Sequence, residues 1–248
     1  MSVIVSKKAL LRSQLRKVLK SISKQDIAQQ SKEIAKQLQS VIIKYYESIS
    51  SPSSSSVSKI GCFLSMEQGE VDTKYILEWL FHPQTHANLA KFEVYLPRCT
   101  STKETGQVKL RNHPESGSLI DHPHLTFHKV DSLNTINKLK PQGKYHLREP
   151  PREFPDPLPP KLDIIIVPGV AFNIQNGARM GWGAGYYDDF IKRYILRHNT
   201  RPLLIGVCLK QQIVPEVELE PHDQFLDCII VGDGSINWTN RKLYDKIK

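Results

Sequence analysis

The stretch DIIIVPGVAFNIQNGARMGWGAGYYDDF, residues 163–190, decides the fold class of this chain. It opens on four branched apolar residues in succession, Ile164 to Val167, stopped by Pro168 and Gly169. A strand that is apolar at consecutive rather than alternating positions is covered on both faces, as in a parallel sheet sandwiched between helices. After the glycines, YYDDFIKRYILRH (186–198) has the period of a helix. PLLIGVCL (202–209) and DCIIVGDG (227–234) repeat the fully apolar strand pattern, and upstream KIGCFLS (59–65) precedes the helix-like KYILEWLF (74–81). Strands alternating with helices predict an α/β, Rossmann-like three-layer domain with a largely parallel central sheet.

Working outward, FEVYLPR (92–98) reads as a strand stopped by Pro97, and QVKLRN and LTFHKV as shorter strands. Seven prolines between residues 141 and 160 exclude a helix or central strand there and predict an extended surface connection. Eight serines in the eleven positions 48–58 predict a loop. The N-terminal 46 residues read as a helical hairpin. Leu11, Leu15, Val18 and Ile22 mark the packing face of its first helix. Ser23 and Asp26 resemble a capping box, followed by the face of Ile27, Ile34, Leu38, Val41 and Tyr45. One domain spanning 1–248 is expected.

Composition narrows the class. With 40% apolar and 24% charged residues, and no apolar run near the ~18 residues a spanning helix needs, the chain reads as a globule rather than a membrane or disordered protein. Cys62, Cys99, Cys208 and Cys228 form no C-x-x-C pair and read as reduced intracellular thiols, and the nine histidines show no metal-ligand spacing. The net charge of +9 is local: residues 1–25 carry seven cations and no acid. Lys8, Arg12, Arg16, Lys20 and Lys24, four apart, form a drifting stripe of like charge that an anionic partner would relieve. A solvated face explains the stripe too. A nucleic-acid binder is the rival reading, weakened by the absence of stacking aromatics or a reading module beside the stripe.

The glycines carry the chemical signal. Gly181, Gly183 and Gly185, between a buried strand and a helix, leave the backbone uncluttered, so several N–H groups can turn toward one anion beside the positive end of the helix. Arg179 adds a planar donor fork suited to phosphate oxygens. A turn that requires positive φ accounts for some of these glycines without any ligand. There is no G-K-[ST] ending of a P-loop and no dinucleotide fingerprint.

This loop, with Tyr186, Tyr187 and Asp188 after it, resembles the signature of the 5-formyltetrahydrofolate cyclo-ligase (5,10-methenyltetrahydrofolate synthetase) family. KKALLR, FLSMEQGEVDT, YLPR, LREP and HDQFLD follow the family's order, so the resemblance spans nearly the whole chain. The Ser-rich and Pro-rich insertions depart from it, as does Trp182, which stands where many relatives have a basic residue.

The resemblance implies an enzyme that uses ATP and Mg2+ to convert 5-formyltetrahydrofolate to 5,10-methenyltetrahydrofolate, ADP and phosphate. The formyl oxygen would be phosphorylated and N10 would then attack the activated carbon. It further implies ATP contacts from Lys8, Arg12, Arg179, Met180, Gly181, Trp182, Gly183, Ala184, Gly185, Tyr186 and Tyr187, with Arg179 and Tyr186 as the catalytic pair. Folate contacts would come from Leu64, Met66, Glu70 and residues Trp182 to Tyr186, and Mg2+ would be held by Asp188 and Asp223. Taken alone, Asp188 reads equally as a first-turn acid balancing a helix dipole and Asp223 as a solvated loop acid. The expected partner is a small-molecule folate, with no nucleic acid and no membrane, for a monomer in the cytoplasm or, alternatively, the mitochondrion.

Overall fold

The computed structural model describes residues 6–49, 57–66, 69–82, 91–107, 121–142, 147–151 and 161–248. In chain order the elements are helices α1 (Lys7–Ser21) and α2 (Lys24–Ile49), strand β1 (Ser58–Gly61), α3 (Lys74–Leu80), β2 (Phe92–Ser101), α4 (Thr102–Thr105), β3 (Pro123–Val130) and α5 (Leu133–Lys138). The short strands β4 (Pro141–Gln142) and β5 (Leu147–Arg148) follow, then β6 (Ile164–Val167), β7 (Ala171–Phe172), β8 (Arg179–Met180), α6 (Tyr186–His198), β9 (Leu203–Cys208), β10 (Cys228–Val231), β11 (Ile236–Trp238) and α7 (Arg241–Ile247).

Seven strands form the central sheet in the order β11-β10-β9-β6-β1-β2-β3. The inner pairs β10–β9, β9–β6, β6–β1 and β1–β2 are parallel, while β11 and β3 close the two edges antiparallel. The expected layering follows from side-chain alternation along the inner strands. Ile164 and Ile166 of β6 pack with α1, α2 and α3 on one face, and Ile165 and Val167 pack with Phe190, Ile191 and Tyr194 of α6 on the other. Both faces are dry, which explains the unbroken apolar runs. The chain runs from β1 to β2 on one side, then returns to place β6 on the other side of β1 and continues outward to β9 and β10. The strand order therefore reverses between β1 and β6, and the carboxyl ends of these strands frame the crevice where open α/β sheets bind ligands.

Several boundaries differ from expectation. Pro97 does not end its strand: β2 continues to Ser101, paired with β3. The Tyr95 carbonyl accepts from Cys62 N–H on the β1 side, so Pro97, two residues on, presents its missing donor on that same side, where β1 has already ended at Gly61. In α1, Val18 is exposed and Leu19 takes its place in the core, so the packing face is Leu11, Leu15, Leu19 and Ile22. Ser23 does cap α2, accepting from the Asp26 N–H and donating to its carboxylate. That helix runs three residues past its expected end, to Ile49, and Ser58 already belongs to β1, so only part of the Ser-rich stretch is loop. The rest of it lies outside the described residues, as do QVKLRN beyond Gln107 and most of the Pro-rich connection. Of that connection, β4 and β5 form a small antiparallel ladder apart from the main sheet. Among the described residues no helix is long and apolar enough to cross a membrane, and all four cysteines are unpaired.

Candidate active site

A cavity of about 610 Å³ opens at the reversal point, within the range of small-molecule sites. Its walls come from the ends of β1, β2 and β6, from the cationic side of α1, and from the segment joining β8 to α6. All sixteen residues expected at the site, from four separate segments, line it.

The glycine segment does not follow β6 directly. A hairpin, β7 against β8, stands between them, so Arg179 lies on a strand with its backbone paired to Phe172. This pairing buries the Arg179 side chain, 3% exposed, with Nη2 3.0 Å from Asp188 Oδ1. Among the described residues Nε and Nη2 have no acceptor in hydrogen-bonding alignment, so Nη2 holds Asp188 by charge and the buried guanidinium keeps donor capacity at the cavity wall. Gly183 has φ of +115°, a conformation that disfavours any side chain, and a Cβ there would lie 3.6 Å from the Arg12 guanidinium. Arg12 Nε donates to the Gly181 carbonyl at 3.0 Å, fastening the loop to α1. Burial and the neighbouring Arg16 both hold the Arg12 pKa down. α6 begins at Tyr186 with Gly185 as its left-handed cap, a residue with no side chain to cap the helix. First-turn N–H groups lack an intrahelical acceptor, so this end of α6 offers donors to the cavity.

The two expected metal ligands meet across a backbone contact. Asp188 Oδ1 accepts from the N–H of Gln224, the residue after Asp223, at 3.0 Å. Asp188 is therefore more than a solvated first-turn acid. Asp223 is not a free loop acid either, because Lys8 Nζ lies 3.1 Å from its Oδ2 and 3.4 Å from Glu220 Oε1. His222, one of the histidines without metal-ligand spacing in the sequence, has its Nε2 3.0 Å from Glu220 Oε2. Ligand atoms of Glu220, His222 and Asp223 lie within 4.8 Å of one another.

Across the cavity the FLSMEQGEVDT segment turns at Gly69, φ +77°, where a Cβ would stand 3.1 Å from the Leu19 side chain of α1. The turn buries Glu70, whose Oε2 accepts from Met66 N–H at 2.9 Å and Oε1 from the Trp182 indole N–H at 3.1 Å. Burial pushes the Glu70 carboxyl up, and the two N–H donors pull it partly back. Tyr187 lies between the two ends, 5.7 Å from the Arg179 guanidinium carbon and edge-on to Phe127, and burial pushes its phenol well above the usual range.

A sequence model of the 5-formyltetrahydrofolate cyclo-ligase family matches residues 4–232. The chain belongs to that family. A 5-formyltetrahydrofolate cyclo-ligase of Saccharomyces cerevisiae is 42% identical over 232 residues, 93% of this chain and 98% of the relative. One from Arabidopsis thaliana, named mitochondrial, is 26% identical over 96% of this chain and 78% of its own length. The fold matches the NMR structure of Aquifex aeolicus 5,10-methenyltetrahydrofolate synthetase with a TM-score of 0.56 at 19% identity, covering 94% of this chain and 93% of that one. The chain is thus an enzyme of the cyclo-ligase family with the cyclo-ligase fold.

Sequence reasoning left several cyclo-ligase cavity residues unassigned. His222 immediately precedes Asp223 in HDQFLD, and Arg148 and Glu149 lie in LREP, so motifs already in view contained these three; Glu220 stands two residues before HDQFLD, outside it. Arg16 belonged to the charge stripe, but nothing in the spacing tied it to Trp182, over whose ring its guanidinium carbon lies at 5.0 Å.

Proposed function

We infer that this protein converts 5-formyltetrahydrofolate to 5,10-methenyltetrahydrofolate with ATP as phosphoryl donor and Mg2+ as its counter-ion. The observation that carries the reading is the convergence of α1, the Glu70 turn, the 179–188 segment and Asp223 on one cavity at the sheet's reversal point. A triphosphate fits the side formed by α1 and α6: Lys8 and Arg12 supply charge, the open backbone from Gly181 to Gly185 leaves room for close approach, and Arg179 offers a buried guanidinium at the cavity wall. Asp188 and Asp223 are the hard oxygen donors that would hold Mg2+, with Lys8 and Arg179 turning from them to phosphate oxygens. Bound there, Mg2+ supplies neutralisation of phosphate charge.

Leu64 and Met66 form an apolar wall for the pterin, and each Glu70 oxygen keeps a lone pair for ring N–H groups. A formyl amide is a poor electrophile and its oxygen a poor leaving group. Transfer of the γ-phosphoryl to that oxygen makes phosphate the leaving group. N10 then attacks the same carbon, loses its proton, and phosphate departs with the former formyl oxygen. The chain needs to supply position and charge rather than a covalent nucleophile. Arg179 would stabilise the transferring phosphoryl, and Tyr186, first residue of α6, would order both reactants from the cavity wall.

Purified protein given 5-formyltetrahydrofolate should produce the methenyl chromophore only with both ATP and Mg2+. Folded protein that forms none, or forms it without ATP, contradicts the reading.

A further inference from the structure

The charge stripe of α1 invites one reading for all its members, a rail for phosphates. The contacts divide it. Arg12 reaches the backbone of the glycine segment at Gly181 and Gly183. One turn further along α1, Arg16 stacks on the Trp182 ring. The edge of that same ring donates to Glu70. Glu70 is 7% exposed, and among the described residues no ion pair reaches it. A carboxylate this buried depends on its hydrogen bonds both for its charge and for its direction. One bond is from the backbone N–H of Met66, which no side-chain rotation can redirect. The other depends on the orientation of an indole ring, and turning that ring breaks the bond to Glu70 and the stack on Arg16 together.

We propose that Trp182 and Arg16 are positioning residues for folate: the indole N–H aims the Glu70 carboxylate, and the Arg16 guanidinium, lying over the ring, fixes the indole. The stripe is then functionally split, with Lys8 and Arg12 serving the nucleotide and Arg16 serving the pterin end. Residue 182 also becomes a specificity determinant, because only a side chain with a donor at that place satisfies Glu70. This inference rests on the folate reading of the cavity.

Calorimetric titration tests it without turnover, using 5-formyltetrahydrofolate alone and, separately, a non-hydrolysable ATP analogue with Mg2+. Trp182→Phe keeps an aromatic face for Arg16 and the backbone through which residue 182 would meet the nucleotide, and removes the indole N–H; it should weaken folate binding about tenfold and leave nucleotide binding within about twofold. Arg16→Met should weaken folate binding about two- to fivefold, again sparing the nucleotide. Arg12→Met should show the opposite preference. The decisive readout is the double variant: once the N–H is gone, removing Arg16 should cost nothing further for folate, since it acts through that bond. Arg16 lies on the surface of α1, so its variant tests the idea even where Trp182→Phe does not fold. Wild-type folate affinity in Trp182→Phe, a nucleotide loss in Arg16→Met as large as the folate loss, or additive losses in the double variant would each overturn the proposal. Wild-type protein that binds no 5-formyltetrahydrofolate would overturn the functional reading and this inference with it.

Discussion

Where α1 meets α6, Asp188, Asp223 and Glu220 each stand against a cation, Arg179 or Lys8; at the β1 end of the same cavity, Glu70 is buried among neutral donors from Met66 and Trp182. The two arrangements suit different ligands. Ion pairs can be exchanged: an arriving polyanion takes the cations, a divalent ion takes the carboxylates, and the balance of charge is kept. A carboxylate held by N–H donors has no such freedom. It stays oriented, and it suits a ligand that offers donors rather than charge. The ionic end should therefore weaken with salt, and the buried end much less.

The largest expected effect sharpens this contrast. Arg179→Met should lower turnover about a thousandfold at saturating substrates, measured as methenyl absorbance, because it removes a buried donor from the transferring phosphoryl. A variant that retains turnover takes Arg179 out of the chemistry. Glu70→Ala should weaken folate binding about a hundredfold while leaving nucleotide affinity within about twofold, measured calorimetrically. Equal losses for both ligands would mean that the two ends are not separate. Lys8→Met should cost about tenfold in nucleotide affinity. Its thermal midpoint should move little, since the paired groups keep some contact with water.

The smallest effect is in pH. Folate binding by ionised Glu70 should strengthen as pH rises through its titration, with a midpoint above the ordinary carboxylate range. The sign for stability is the reverse. A carboxyl raised in the folded protein favours folding below its unfolded pKa, and that contribution is lost as pH rises through the folded pKa. Calorimetry across the acid range checks both, and a folate midpoint at or below the ordinary value would remove the buried carboxylate from recognition.

How much of this was legible in the sequence depends on whether a feature is contiguous. The inner strands were visible because burial on both faces writes runs such as Ile164 to Val167 directly into the chain. The β7–β8 hairpin was not, since each strand is two residues long and owes its pairing to its partner. In α1, Val18 and Leu19 are both apolar and one helical step apart, so spacing alone could not choose between them; packing against the Gly69 turn chose Leu19. At the site, the glycine segment and the Glu70 turn were legible as motifs. The tie from Arg16 through Trp182 to Glu70 joins three distant positions, and no local pattern encodes it.

The central claim is that this cavity moves a phosphoryl group onto the formyl oxygen before the ring closes. Turnover of 5-formyltetrahydrofolate labelled with oxygen-18 in the formyl group tests it most directly. The account predicts that the label leaves in inorganic phosphate, one atom for each methenyl product formed. Label recovered in water, with unlabelled phosphate released alongside, would contradict it.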